Sequence, residues 1–249
     1  MRLNSSSGVS ESIGFILILG MVISGIALVT LFGYPLLLKE QANANVRNME
    51  KGMIVLQNDI KSIAYKSVPF KETTLLISGG SLSLKRPAVT PSFTITYPGL
   101  ASMTVAPGEL EYQSDSGNQV VILENGAVIV RQWDASGSSM LAEPRWFYDD
   151  TTKTFVIPLI RLNASSNLSR NGIGTVQMKI VTPPNSIEYL SPGGTVQVTY
   201  NMDIQNNHLD AWNNYFVNSL QMHDNAGIYE KFNVDRLVVT TYDITILTL

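Results

Sequence analysis

The sequence predicts an α+β protein: a long N-terminal transmembrane and stem helix, then a predominantly antiparallel, sandwich-like β head with one short helix. Three observations predict it. No residue from 13 to 38 is charged. Apolar residues then recur at helical spacing from 46 to 63. From Lys71 onward the pattern changes to the alternation of strands, punctuated by Gly, Pro and Asn-Gly turns. The expected segments are a short polar leader at 1–12, a transmembrane helix at 13–38, an amphipathic stem at 39–68 and an extracytoplasmic head at 69–249.

The first apolar run, IGFILILGMVISGIALVTLFGYPLLL, exceeds the roughly 20 residues that a helix needs to cross a bilayer core. The apolar region of a secretory signal is shorter, about 7–15 residues, and Gly33-Tyr34-Pro35 followed by three leucines makes a poor cleavage site. Pro35 removes an amide donor near the outer end and should kink or loosen the helix there. Gly14, Gly20, Ser24, Gly25 and Gly33 either let helices approach closely or are simply tolerated in lipid. Arg2 lies on one side of the run and Lys39, Arg47 and Lys51 on the other, which mildly favours an inward C-terminus. Large domains translocate largely regardless of charge, so the head is placed outside the cell.

In the stem, Val46, Met49, Met53, Leu56, Ile60 and Ile63 form a seam with alternating three- and four-residue steps. The seam can pack on the head's own sheet or on another subunit, and the former is expected. Val68-Pro69 should end the helix, because the residue before proline is pushed out of helical angles.

In the head, residues 93–97 alternate apolar and polar. Residues 119–124 and 127–132 flank Asn125-Gly126, the strongest short hairpin signal. Further strands are expected at 154–162, 175–182, 195–203 and 237–249, with Pro183-Pro184 and Pro192-Gly193-Gly194 as loops. One helix is expected at 207–220, capped by Asn207 and burying Leu209, Trp212, Phe216 and Leu220. Trp133, Trp146 and Trp212 read as core anchors; the Arg145-Trp146-Phe147-Tyr148 cluster becomes a contact surface only if exposed. Asn163 and Asn167 head two glycosylation sequons in one polar loop.

Composition narrows the function classes. Charged residues make up 15% of the chain, below the usual quarter or so. The net charge is −3, and no basic stripe offers a nucleic-acid footprint. There is no cysteine, so disulfides, zinc ribbons and thiol nucleophiles are excluded. The two histidines, His208 and His223, have no paired spacing. No calcium loop, nucleophile elbow or phosphate loop is present. No catalytic residue, cofactor or metal ligand is therefore expected, and a hydrolase is the least supported reading.

Ser7-Gly8-Val9-Ser10-Glu11-Ser12-Ile13-Gly14, running into the apolar helix, resembles the N-terminus of archaeal type IV pilin-like proteins. The span from Gly8 into Leu84 looks like a family of that class with a pilin-type anchor and a β-rich head. The stretches Glu109-Leu110-Glu111-Tyr112, Glu124-Asn125-Gly126-Ala127-Val128 and Asp210-Ala211-Trp212 are also similar to it. The resemblance implies leader cleavage between Gly8 and Val9 by a prepilin peptidase. It also implies that Glu11 can pair with a neighbouring subunit's terminal amine during assembly. The leader departs from the class in lacking a basic residue just before the cut. The function expected is structural or adhesive: a single-pass surface protein, possible pilus or minor-pilin subunit, with lipid and like subunits as partners. The alternative is a tethered ligand-binding or sensing module that does not polymerise.

Overall fold

The computed structural model describes residues 7–116, 119–132, 137–202 and 208–249, with side chains from Ser12 onward. The chain divides into two compact units, 1–44 and 45–249.

The first unit is helical. Helix α1 (Ser7–Leu28) is followed by a π-helical turn at Val29–Gly33 and then by α2 (Tyr34–Lys66). The π turn has a local cause. Pro35 has no amide to give to the carbonyl one turn back, and its ring crowds that turn. Widening the preceding turn absorbs the mismatch: the Tyr34 N–H reaches back to the Val29 carbonyl. From Ser12 to Leu38 the side chains are exposed apart from half-buried Gly14. This helix is long and apolar enough to cross a membrane.

The second unit takes in residues 45–66 of α2, so this part of the stem belongs to one compact unit with the head. The seam explains this. Val46, Met49, Met53, Leu56, Ile60 and Ile63 are all buried, in one core cluster with residues of the sheet. Gly52 has a packing reason here, since a Cβ on it would stand 3.1 Å from Leu75 Cδ2. Gln57, which no periodicity singled out, is also buried. Its Nε2 donates to the carbonyls of Gly126 (2.6 Å) and Glu143 (3.0 Å), fixing the stem to a hairpin turn.

The thirteen strands among the described residues are β1 (Phe70–Lys85), β2 (Ser92–Tyr97), β3 (Leu100–Val105), β4 (Glu109–Ser114), β5 (Gln119–Glu124), β6 (Ala127–Gln132) and β7 (Ser138–Ala142), then β8 (Phe147–Asp149), β9 (Thr154–Asn163), β10 (Leu168–Ile180), β11 (Asn185–Asn201), β12 (His223–Asn225) and β13 (Ile228–Thr248). They form one hydrogen-bonded sheet, ordered β3-β2-β11-β13-β10-β1-β4-β5-β6-β7. β13 is its spine. β11 and β10 lie end to end along one edge, while β9 runs parallel along the other, so that Ile244 pairs with both Ile180 and Leu162. The remaining ladders are antiparallel.

Two cores lie against this sheet. One joins the stem to β1, β4, β5, β6, β9, β10 and the end of β13. The other gathers Phe93, Trp146, Phe155, Tyr200, Trp212 and Phe216 with their neighbours. Strands β6 and β9 serve both: Val128 and Ile160 face the stem core, Ile129 and Leu159 the aromatic one. Burial on both faces is why these strands read as unbroken apolar runs.

Several expectations need correction. β10, β11 and β13 are longer than their alternating stretches suggested. Pro192-Gly193-Gly194 is a bulge inside β11 and not a loop between strands. Gly193 has φ +69°, and its N–H donates to Asp235 Oδ1 at 2.7 Å. Gly194 lies under the Tyr97 ring, where a Cβ would come within 2.8 Å of Cε2. The late helix α3 covers only Leu209–Asn214 and passes into a π turn at Tyr215–Ser219. Leu209 is half-buried, whereas Ala211, Trp212, Tyr215, Phe216 and Leu220 are buried. Asn207, expected to cap it, lies outside the described residues, as do Trp133 and Asp203.

The Asn125-Gly126 turn has positive φ at both residues, +46° and +74°, as a type I′ hairpin requires. Buried Asn125 also accepts the Ile160 N–H at 2.8 Å through Oδ1. Asn125→Ala should therefore lose about 1–3 kcal/mol, read as a lower denaturant midpoint. Asn125→Gly keeps the turn and isolates the hydrogen bond; a midpoint equal to wild type would show that the bond contributes nothing.

Candidate functional site

Among the described residues of the head, a cluster of buried ionisable side chains lies where β4, β5 and the start of α3 meet. Register builds it. Lys85 pairs with Glu109 across β1–β4, and Glu109 pairs with Glu124 across β4–β5, so three ionisable side chains form one transverse row. Paired residues of an antiparallel ladder project from the same face. His208, immediately before α3, completes the group: Nδ1 is 3.5 Å from Glu124 Oε2 and 3.9 Å from Glu109 Oε2. Glu109, Glu124 and His208 are each no more than 1% exposed. Of the stretches Glu109–Tyr112, Glu124–Val128 and Asp210–Trp212, the residues that meet here are Glu109, Glu124 and Trp212.

The surrounding groups hold Glu124 firmly. The Tyr200 hydroxyl donates to its carboxylate, 3.0 Å from Oε2 and 3.1 Å from Oε1, and Trp212 Nε1 donates to Oε2 at 3.1 Å. Glu109 is held less well. Lys85 Nζ lies 3.1 Å from its Oε1, and neither oxygen accepts a hydrogen bond of good geometry among the described residues. His208 Nε2 is likewise without a hydrogen-bond partner among them. Lys85 makes its shorter contact, 2.6 Å, with Glu111 Oε2, and Arg131 Nη2 approaches the same oxygen at 3.9 Å.

Burial pushes the Glu109 carboxyl above its ordinary range; His208 pulls against this and Glu124 adds to it. Burial pulls the Lys85 ammonium down, but the facing carboxylates of Glu109 and Glu111 outweigh it and hold it above its usual value. Burial and the charge of Glu124 push the Tyr200 hydroxyl far up, so it stays a hydrogen-bond donor. Two carboxylates and one imidazole, with ligand atoms all within 4.8 Å of one another, could hold a metal ion.

Sequence reasoning missed this group, because its members lie on separate elements and only strand register joins them. The residues it did name are dispersed. Gly8 and Val9 fall in the first turn of α1, and the Glu11 side chain lies outside the described residues. The six seam residues belong to the stem core. Asn163 ends β9 and Asn167 directly precedes β10, both exposed. Trp146 is buried and donates Nε1–H to the Pro158 carbonyl at 2.9 Å, whereas Phe147 is exposed, so the cluster around it is not one contact surface.

A family model described as a family of unknown function (DUF7289) matches residues 8–247. The chain belongs to this family. No curated protein and no solved structure matches it. In this DUF7289 chain the matched span takes in the apolar helix, the stem, every strand of the sheet through most of β13, and all three residues of the buried group.

Proposed function

We propose that the protein is a single-pass, membrane-anchored surface protein of the pilin-like kind, with a structural, assembly or adhesive role and its β head outside the cell. One observation carries this reading. Large apolar side chains from Ile13 to Leu38 are exposed without a charge among them, while the apolar seam that follows is spent inside the head's own core. An exposed apolar surface of that extent needs lipid or other helices around it. The head offers support of a different sort: its largest clusters of side chains are packing cores. Lipid is the first partner. Like subunits meeting through the N-terminal helix, and a prepilin peptidase acting at Gly8-Val9, are the further partners of the filament version. Exposed Asn163 and Asn167 are available for glycans on an external head.

The test uses the protein from native membranes. The full chain should resist a carbonate wash and need detergent for extraction, whereas a variant lacking residues 13–38 should appear in the aqueous fraction. Release of the full chain by carbonate would overturn the anchor. Intact mass and N-terminal sequencing then separate the two versions: a start within Ser7 to Val9 means processing and assembly competence, and an intact Met1 means a permanent tether.

A further inference from the structure

We propose that Glu109, Glu124 and His208 bind one divalent first-row metal ion, with zinc the best match to the donor set, and that this ion fastens the start of α3 to the β4–β5 hairpin.

The first argument is like charge in a dry place. Glu109 and Glu124 are direct cross-strand partners, an arrangement that destabilises even an exposed sheet when both residues carry the same charge. Here both are buried. Lys85 approaches Glu109 Oε1 from one side, leaving Oε2 turned towards His208 with no hydrogen-bond donor among the described residues. Lys85 supplies one counter-charge beside this pair of buried carboxylates, and a bound cation would supply the second.

The second argument is spacing. Were His208 an imidazolium bridging the two carboxylates, its N–H would lie about 2.7–3.2 Å from an oxygen. The separations are 3.5 and 3.9 Å instead. Donors about 2.0–2.2 Å from a shared tetrahedral ion stand about 3.4 Å apart; the contact to Glu124 matches this, the contact to Glu109 is longer, and the Tyr200 hydroxyl lies 3.5 Å from the same Nδ1. Imidazole with carboxylate oxygens is a donor set suited to zinc or manganese.

The third argument is support around the ligands. Metal-bound carboxylates are themselves oriented by hydrogen bonds from outer groups. Tyr200, shared between Oε1 and Oε2, and Trp212, on Oε2, orient the Glu124 carboxylate from two different elements, which leaves Oε1 the less committed oxygen for an ion. The proposal is independent of the membrane role, since the group lies wholly within the head unit.

The experiment takes the full chain, purified in detergent without chelator, and measures metal content. The same protein is then dialysed against EDTA and titrated with zinc chloride or manganese chloride. The expected result is one ion per chain, a melting temperature lowered by EDTA and restored by the ion. Glu124→Gln and His208→Ala should weaken affinity by more than about 100-fold, beyond what loss of an outer supporting group costs. His223→Ala should leave it unchanged. The proposal fails if folded, EDTA-treated protein takes up no stoichiometric ion, or if His208→Ala binds as tightly as wild type. Should the variants not fold, X-ray absorption of zinc-loaded wild type decides. One imidazole with carboxylate oxygens supports the site, and a shell without imidazole overturns it.

Discussion

Trp212→Ala should destabilise the head by about 3–5 kcal/mol, the usual consequence of removing a large buried aromatic ring. Trp212 is fully buried among Phe93, Tyr200, Tyr215 and Phe216, with ring centroids 4.7 to 5.9 Å away. It also gives Glu124 a hydrogen bond. Trp212→Phe separates the two contributions. It retains much of the ring packing and removes the indole N–H, so it should lose about 1–3 kcal/mol. Denaturant titration of the full chain in detergent, followed by β-sheet circular dichroism, reads both. Equal losses in the two variants would mean that the hydrogen bond, and not the ring packing, dominates at this position.

The stem carries the second large effect. Ile60→Ala should lower stability by about 2–5 kcal/mol, because the cavity it leaves can close only partly. Ile60 is fully buried in the stem core, whereas Val55, in the same helix, is 49% exposed. Val55→Ala should therefore stay within about 0.5 kcal/mol of wild type. Both substitutions leave the apolar segment 13–38 untouched, so extraction behaviour should be unchanged while the denaturant midpoint moves only for Ile60. A midpoint shift as large for Val55→Ala would mean that the stem's outer face is also covered by protein.

These two positions show what the sequence made legible. The stem was readable because a helix buries residues three and four apart, and the seam from Val46 to Ile63 keeps that rhythm. The Asn125-Gly126 hairpin was readable because few residue pairs accept two successive positive φ values. The limits of β10, β11 and β13 were not. Their outer ends carry polar and glycine residues on exposed faces, as in Arg170-Asn171-Gly172, where alternation vanishes and an irregularity interrupts the ladder to β1 before pairing resumes at Arg170. Pro192-Gly193-Gly194 looked like punctuation because its role depends on Tyr97 and Asp235, both distant in sequence. The buried group was hidden for a similar reason. Glu109 and Glu124 become neighbours only through the β4–β5 register, and His208 arrives from another part of the chain. Lone glutamates in strand sequence look like solvated edges until the sheet is closed over them.

The central position of β13 bears on how the head is made. Its partners β9, β10 and β11 all precede it in the chain, yet each needs it to complete a ladder. During vectorial synthesis the earlier strands therefore emerge with open edges and wait for a segment that comes after them. Pairings of this long sequence separation form slowly, and unpaired edges in a waiting chain are where wrong partners attach. Completion of the head is a late event, and a chain stalled before β13 is the species most exposed to aggregation and quality control.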